Sequence, residues 1–413
     1  MTRTLAFGGV ATAALLVLTS VAPAFAAPQK DGSFAVSSVG TNNQIARGPD
    51  GSMWVTLDGG TTEVARVTSA GIVTEFDLPG VSNPVGIVAA AGKLWVDFNG
   101  GVASFSPADP SGTVATTAIA TLTDPRIMTR ATDGSVWTAS TDKVFRIPPA
   151  NPAGFTQFAT ATTKVKDAKA ITASGDGTVW VADGLGGAQV VNVTAAGVGT
   201  AYATGGGNQG IAAGPKRQVA FANPLANPQL IGRVTAGGTP STRTTPQKDP
   251  FGVTFAADGA YWIAQFADDS LARLTRTGGY STPIRFPAGS GPRQLSAGPD
   301  KTIWVTLDQT DRIAKVKGVA PAPPQTTITK APPATVTFQK PRRTLTFRFT
   351  SSRGQSTFQC RLWRKGNDRG QWRTCTSAKR YKVKPGRFRF QVRATAGGVT
   401  DPTPALARVR VKR

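Results

Sequence analysis

Histidine is absent from all 413 residues. Its imidazole is the usual general base near neutral pH and the commonest nitrogen ligand of metal ions, so every site that needs one is excluded. Cysteine is nearly absent too. Only Cys360 and Cys375 occur, which rules out thiolate zinc clusters and leaves at most one intramolecular disulfide. Acids are scarce, 23 Asp and Glu against 47 Lys and Arg. Beyond the N-terminus, no run reaches the roughly 18 consecutive apolar residues of a membrane-spanning helix.

What the chain has in abundance is recurrence. Residues 48–57 read GPDGSMWVTL and residues 298–307 read GPDKTIWVTL. The template returns as AAAGKLWVDF (89–98), ATDGSVWTAS (131–140), SGDGTVWVAD (174–183), GPKRQVAFAN (214–223) and AADGAYWIAQ (256–265). The aligned positions are Trp54, Trp95, Trp137, Trp180, Ala220, Trp262 and Trp304, spaced 40 to 43 residues apart. A period of this length belongs to propeller blades. Within 83–120, two apolar strands flank a turn at Gly92, NGG turns the chain into VASFS, and an alternating TVATTAI follows. Four short antiparallel strands make one blade. Each Trp lies on the second strand and is expected to pack between neighbouring blades. The seventh unit stops at DRIAKVKG (311–318), short of its outer strand, whereas GSFAVSSVG (32–40) is a strand without a blade. Ser33 to Val39 is therefore expected to complete the Trp304 blade and remove an exposed edge.

The N-terminus places Arg3 before an apolar stretch ending in Ala24-Phe25-Ala26. This is the pattern of a secretory signal peptide, residues 1–26, with an uncleaved anchor as the alternative. Export puts Cys360 and Cys375 in an oxidising setting, where a disulfide is the natural reading and an intermolecular bridge the alternative. A Pro-rich linker spans 320–333. From 321 to 413 there are 22 Lys and Arg against two acids, a net of +20 out of +24 for the whole chain. Here TLTFRFTS, STFQCRLW, RFRFQVRATA and ARVRVKR alternate apolar residues with Arg, a β-sandwich pattern.

The stretch GPDGSMWVT…EVARVTSAGIVTEFDLP (48–79), echoed by PQLIGRVTAGG (228–238) and DDSLARLTRTGG (268–279), resembles the virginiamycin B lyase (streptogramin lyase) family over residues 32–318. The resemblance implies a seven-bladed propeller. It also implies a carbon–oxygen lyase that opens a cyclic depsipeptide antibiotic by elimination, with a His base and Mg²⁺-associated carboxylates in the last two blades. This chain departs from that pattern. Phe251 and Arg293 stand at the base positions and Gly291 at a metal carboxylate, with Asp308 the one partial retention. The segments TFQCRLW…QWRTCTS…GRFRFQVRATAGGVTDPTPA resemble a bacterial Ig-like domain over 324–413. The fold class is therefore all-β: a seven-bladed β-propeller over 27–319 followed by a small Ig-like β-sandwich over 324–413.

No catalytic residue and no metal set is assigned, and no cofactor is expected; Mg²⁺ enters only if the chain is a diverged lyase or a metal-assisted hydrolase. The candidate ligand-binding residues are Asp97, Asp183, Asn223, Gln265, Arg293 and Asp308, with Asp58 and Arg126 beside them, on the rim shared by entry loops and second-strand ends. Asp and Asn are also ordinary turn residues, and the structural reading of the same positions is the stronger one. The expected molecule is a secreted or cell-wall-associated monomer. It has an unidentified ligand on the propeller face, and its basic domain meets an anionic cell-envelope polymer without specific recognition of nucleic acid.

Overall fold

Each repeat folds into one four-stranded antiparallel sheet, because β-branched and aromatic runs of four to six residues are separated by turns that need a left-handed residue. The turns before the second strands show the need directly: Gly51, Gly92, Gly134, Gly177 and Gly259 all have φ between +74° and +86°. A computed structural model describes residues 28–40, 43–58, 60–184, 186–226, 228–245, 248–275, 278–319, 323–337, 342–367, 370–396 and 399–413. The stretch 1–26, expected to be a signal peptide, lies outside them.

Blade 1 uses Ile45–Arg47, Met53–Thr56, Val64–Val67 and Val73–Phe76 in that order, and blades 2 to 6 repeat the arrangement with consecutive strands. Blade 7 takes three strands from the end of the ring, Pro292–Ala297, Ile303–Leu307 and Arg312–Lys317, and its outer strand from the beginning, Gln29–Ala35. The ring is thus closed in the expected blade, with Phe34 opposite Ile313. The strand bounds differ from the expected Ser33 to Val39. Val36 and Val39 are needed elsewhere, in the core between blades 7 and 1, and the chain leaves the sheet at Val36 with its amide on Asp311. Asp31 fixes the strand's start, pairing with Lys317 at 2.5 Å and Lys315 at 3.1 Å. Those two ammonium groups hold its carboxyl below the usual carboxylate range.

The core lies between blades. Trp54 packs on Ile87, Leu94 and Val96 of blade 2, Trp180 on Ile211, Val219 and Phe221 of blade 5, and Trp304 on Ile45, Met53 and Val55 of blade 1. Blade 5 has Ala220 where the others have Trp, and the volume is supplied from the next blade. Tyr261, fully buried, packs with Ala220 and reaches back to donate its hydroxyl to Gln218 O at 3.2 Å. Its ring tip lies against Gly214, just as the Trp54 and Trp304 rings lie against Gly48 and Gly298; a Cβ at any of these glycines would collide with the ring.

The second compact unit begins at Pro321. It is a sandwich of two sheets. A three-stranded sheet orders Thr326–Lys330, Arg343–Ser351 and Lys379–Val383. The other orders Thr335–Thr337, Ala405–Lys412, Gly386–Ala396, Thr357–Arg364 and Arg373–Cys375, with Val399–Thr400 paired to Gly386–Ala396. Phe347, Phe349, Phe390, Val392 and Val409 form the core between them. The reading of 320–333 as linker needs correction. Between the proline pairs, β-branched TTIT forms the strand Thr326–Lys330, and its pairing to Arg343–Ser351 makes this stretch part of the domain. Cys360 and Cys375 are bridged. The bridge joins neighbouring strands of one sheet, unlike the inter-sheet bridge of antibody domains.

If Tyr261 replaces the missing tryptophan, Tyr261→Ala should cost about 3–5 kcal/mol in urea unfolding. Tyr261→Phe keeps the ring and should cost only about 1 kcal/mol. Equal losses would show that the hydroxyl, not ring volume, holds blades 5 and 6 together.

Candidate functional site

Entry loops and second-strand ends are zipped together on one rim by backbone hydrogen bonds. Val85 donates to Asp97 O, Arg126 to Ala139 O, Phe266 to Asp249 O and Asp308 to Gly291 O. Side chains at the strand ends satisfy what remains of the loops' polar groups. The sequence predicted residues that follow the second strand, but Asp97 lies inside Lys93–Phe98, and Asp183, Asn223 and Gln265 are the last residues of theirs.

All four are fully buried. Asp97 accepts from the Gly86 amide at 2.6 Å and from the Thr138 hydroxyl of the next blade. Burial pushes its carboxyl up to about 7, opposed by those two donors and, from a distance, by Arg126. Asp183 accepts from the amides of Lys166 and Asp167, at 3.1 and 2.5 Å, and from Gln189 Nε2 at 2.8 Å. Asn223 Oδ1 accepts from Ala226 N, and Gln265 Nε2 donates to Thr245 Oγ1. These side chains tie the rim together from below.

Two predicted residues do meet. Arg293 Nε donates to Asp308 Oδ2 at 2.5 Å, with side chains 15% and 6% exposed. The guanidinium also packs against two aromatic rings, 4.4 Å from the Phe251 centroid and 4.1 Å from that of Phe266. Burial raises the Asp308 carboxyl and Arg293 opposes the rise. Asp249, which precedes Pro250 in the entry loop, shares this field: burial raises its carboxyl and Arg293 lowers it. Sequence reasoning passed over Asp249, although its place just before the Pro250-Phe251 pair marked it. Gly291 sits at φ +59°, and any side chain there would run into Asp308 and the Phe266 ring. Elsewhere on the rim, Asp58 lines a shallow cleft of ≈ 160 Å³ with Asn43, Asn99 and Asp124. Arg126 there pairs with Asp124 at 2.5 Å and donates to Ala168 O.

The donor set does not suit Mg²⁺. One Asp308 oxygen is taken by a guanidinium, whose positive charge opposes a second cation. Among the described residues no group of three His, Cys, Asp or Glu is placed to hold a metal ion.

Residues 153–338 match the model of the virginiamycin B lyase family. The selenomethionine structure of virginiamycin B lyase from Staphylococcus aureus is 18% identical, with a TM-score of 0.60 over 69% of this chain and 98% of that one. This is a virginiamycin B lyase-like propeller. A catalytically inactive histidine-to-alanine variant of the staphylococcal enzyme, crystallised with quinupristin, is 16% identical with a TM-score of 0.58, covering 69% of this chain and 99% of its own. The extracellular domain of a hybrid two-component system from B. thetaiotaomicron is 13% identical with a TM-score of 0.52, over 92% of this chain and 56% of that one. None of the curated proteins matches the sequence significantly. At such identities the likeness is one of fold.

The buried acid of this lyase-like propeller gives a test. Asp97 in the unfolded chain titrates near 3.8 and in the folded one near 7, so folding takes up a proton between these values. Stability therefore falls as pH rises from about 4 to 7 and levels above that. Asn mimics the protonated form. The melting temperature of Asp97→Asn relative to the parent should be distinctly higher at pH 8 than at pH 5, and a pH-independent difference would contradict the assignment.

Proposed function

We propose that the chain is an exported, non-catalytic binding or scaffold protein. Its propeller face meets a ligand or partner, and its basic sandwich holds it to an anionic polymer of the cell envelope. The observation that carries the reading is the Arg293–Asp308 pair wedged against Phe251 and Phe266. Elimination requires a group that takes a proton and a cation that steadies the charge developing opposite it. Guanidinium stays protonated up to about pH 12 and phenyl carries no basic atom. The carboxylate that could ligate a cation is already neutralised by Arg293.

Three features support export: the signal-peptide pattern at 1–26, the Cys360–Cys375 bridge, and the likeness to a bacterial extracellular domain. No described helix is long and apolar enough to cross a membrane. The net of +20 over 321–413 supports attachment, since charge of one sign at that density repels itself unless an anionic partner offsets it.

Incubating residues 27–413 with a streptogramin B antibiotic and Mg²⁺, followed by liquid chromatography with mass spectrometry, should return the cyclic compound intact. A linear isomer of unchanged mass that disappears in Asp308→Ala would make the chain a carbon–oxygen lyase. A linear product heavier by one water would make it a hydrolase.

A further inference from the structure

The outward face of the larger C-terminal sheet is rich in cations, seven of them on its three long strands, set among Thr, Gln, Trp363 and the exposed Leu406. Phe358, Cys360, Phe390, Val392, Val409 and Val411 turn inward, so the alternate positions turn outward. Pairing register sets Arg389 directly opposite Arg408 and Arg387 directly opposite Arg410. Like charges facing each other across a ladder are destabilising. None of the three long strands involved contains an acid. Of the domain's two acids, Asp401 is buried and taken by Thr326 and Thr403, and Asp368 lies outside the described residues.

At one end of the face lies a cleft of ≈ 630 Å³ to which Arg364, Lys365, Arg387, Arg410 and Lys412 contribute. Arg364 lies across Gly386, where a Cβ would displace it, and donates to Pro385 O. At the other end two guanidiniums are fixed in place. Arg361 is held by Gln391 Oε1 at 3.0 and 2.7 Å, and Arg393 by Gln359 Oε1 at 3.0 and 2.8 Å. The Trp372 ring lies 4.2 Å from one and 4.3 Å from the other.

We propose that this face and its cleft form a binding site for a phosphodiester polymer that carries no bases, of the poly(alditol phosphate) kind. The proposal rests on the reading that the basic domain meets an anionic envelope polymer, and it names the surface and the chemistry. Guanidinium forks match the tetrahedral phosphate with paired hydrogen bonds, which an ammonium cannot do, and Arg outnumbers Lys here. A strand geometry of about 3.3 Å per residue and 4.8 Å between strands spreads these forks over a grid that a chain of phosphates can follow. Nucleic acid fits less well. Binding of single strands without sequence preference relies on bases stacking on open aromatic rings, but Trp372 already has guanidiniums against it, Trp363 is buried, and the Phe side chains turn inward.

The test titrates fluorescent poly(glycerol phosphate) with the full chain by anisotropy over a range of salt. Arg387→Gln/Arg410→Gln should weaken binding by about tenfold and flatten the slope of log affinity against log salt by about 1.4. Arg348→Gln/Arg380→Gln, which removes two exposed charges from the smaller sheet, should change affinity less than about twofold. The face variant should also melt at a higher temperature than the parent in low salt without polymer, which separates lost affinity from misfolding. Equal losses in both pairs would overturn the site while leaving polymer attachment standing. Tighter binding of poly(dT) or polyglutamate would overturn the phosphodiester assignment. Failure to bind any polyanion would defeat the attachment reading itself.

Discussion

The ring depends on one antiparallel pairing between the two ends of the propeller sequence. Gln29–Ala35 lies beside Arg312–Lys317, about 280 residues away along the chain. Loop-closure entropy grows only slowly with length, so bringing such distant segments together costs little more than closing a shorter ring. The return is large: an exposed edge disappears, and Trp304 enters a core built jointly with blade 1. Phe34 reinforces the seam, its ring 5.7 Å from that of Trp304. Blade 7 packs against blade 6 on one side and blade 1 on the other, and it carries Arg293 and Asp308.

The rim of blade 7 is constrained by its own contacts. A guanidinium held by a carboxylate and two phenyl rings cannot swing away without leaving a half-buried charge unpaired, which is costly. Gly291 adds a second constraint, because its left-handed backbone and its closeness to Asp308 leave no room for a side chain. Phe251, Gly291, Arg293 and Asp308 thus form one mutually fitted packing arrangement, in which restoring a single acid or base would disturb the rest. The propeller shares the architecture of the structures it resembles, with this arrangement on its rim.

Much of the fold was legible in the sequence because the repeat signal is physical: a position 40 to 43 residues apart, Trp in six of seven repeats, marks an inter-blade core, and Gly before the second strand marks a left-handed turn. The closing blade was legible from an orphan strand and an incomplete unit. Its bounds were not, since Val36 and Val39 look like strand residues and are used as core. The strand Thr326–Lys330 was hidden by flanking prolines. The substitution of Tyr261 for a missing Trp was invisible because the replacement comes from the neighbouring repeat. At the rim, residue type did not distinguish a side chain facing solvent from one hydrogen-bonding a loop from below. Asp183, Asn223 and Gln265 share one location in the repeat, Asp97 lies one residue earlier, and all four are buried, whereas Asp58, one residue later than the three, opens to a cleft. Burial there follows from how far each entry loop folds over its strand end, which only three-dimensional contacts determine.

The most direct test of the closed ring is native-state hydrogen exchange. Amides of Gln29–Ala35 bonded to Arg312–Lys317 should exchange as slowly as those of Val179–Asp183 in the middle of the ring, since both open only when the whole propeller unfolds. Exchange in the closing strand many-fold faster than in Val179–Asp183 would show a ring that opens on its own, and would contradict the account of a propeller held shut by the pairing of its two ends.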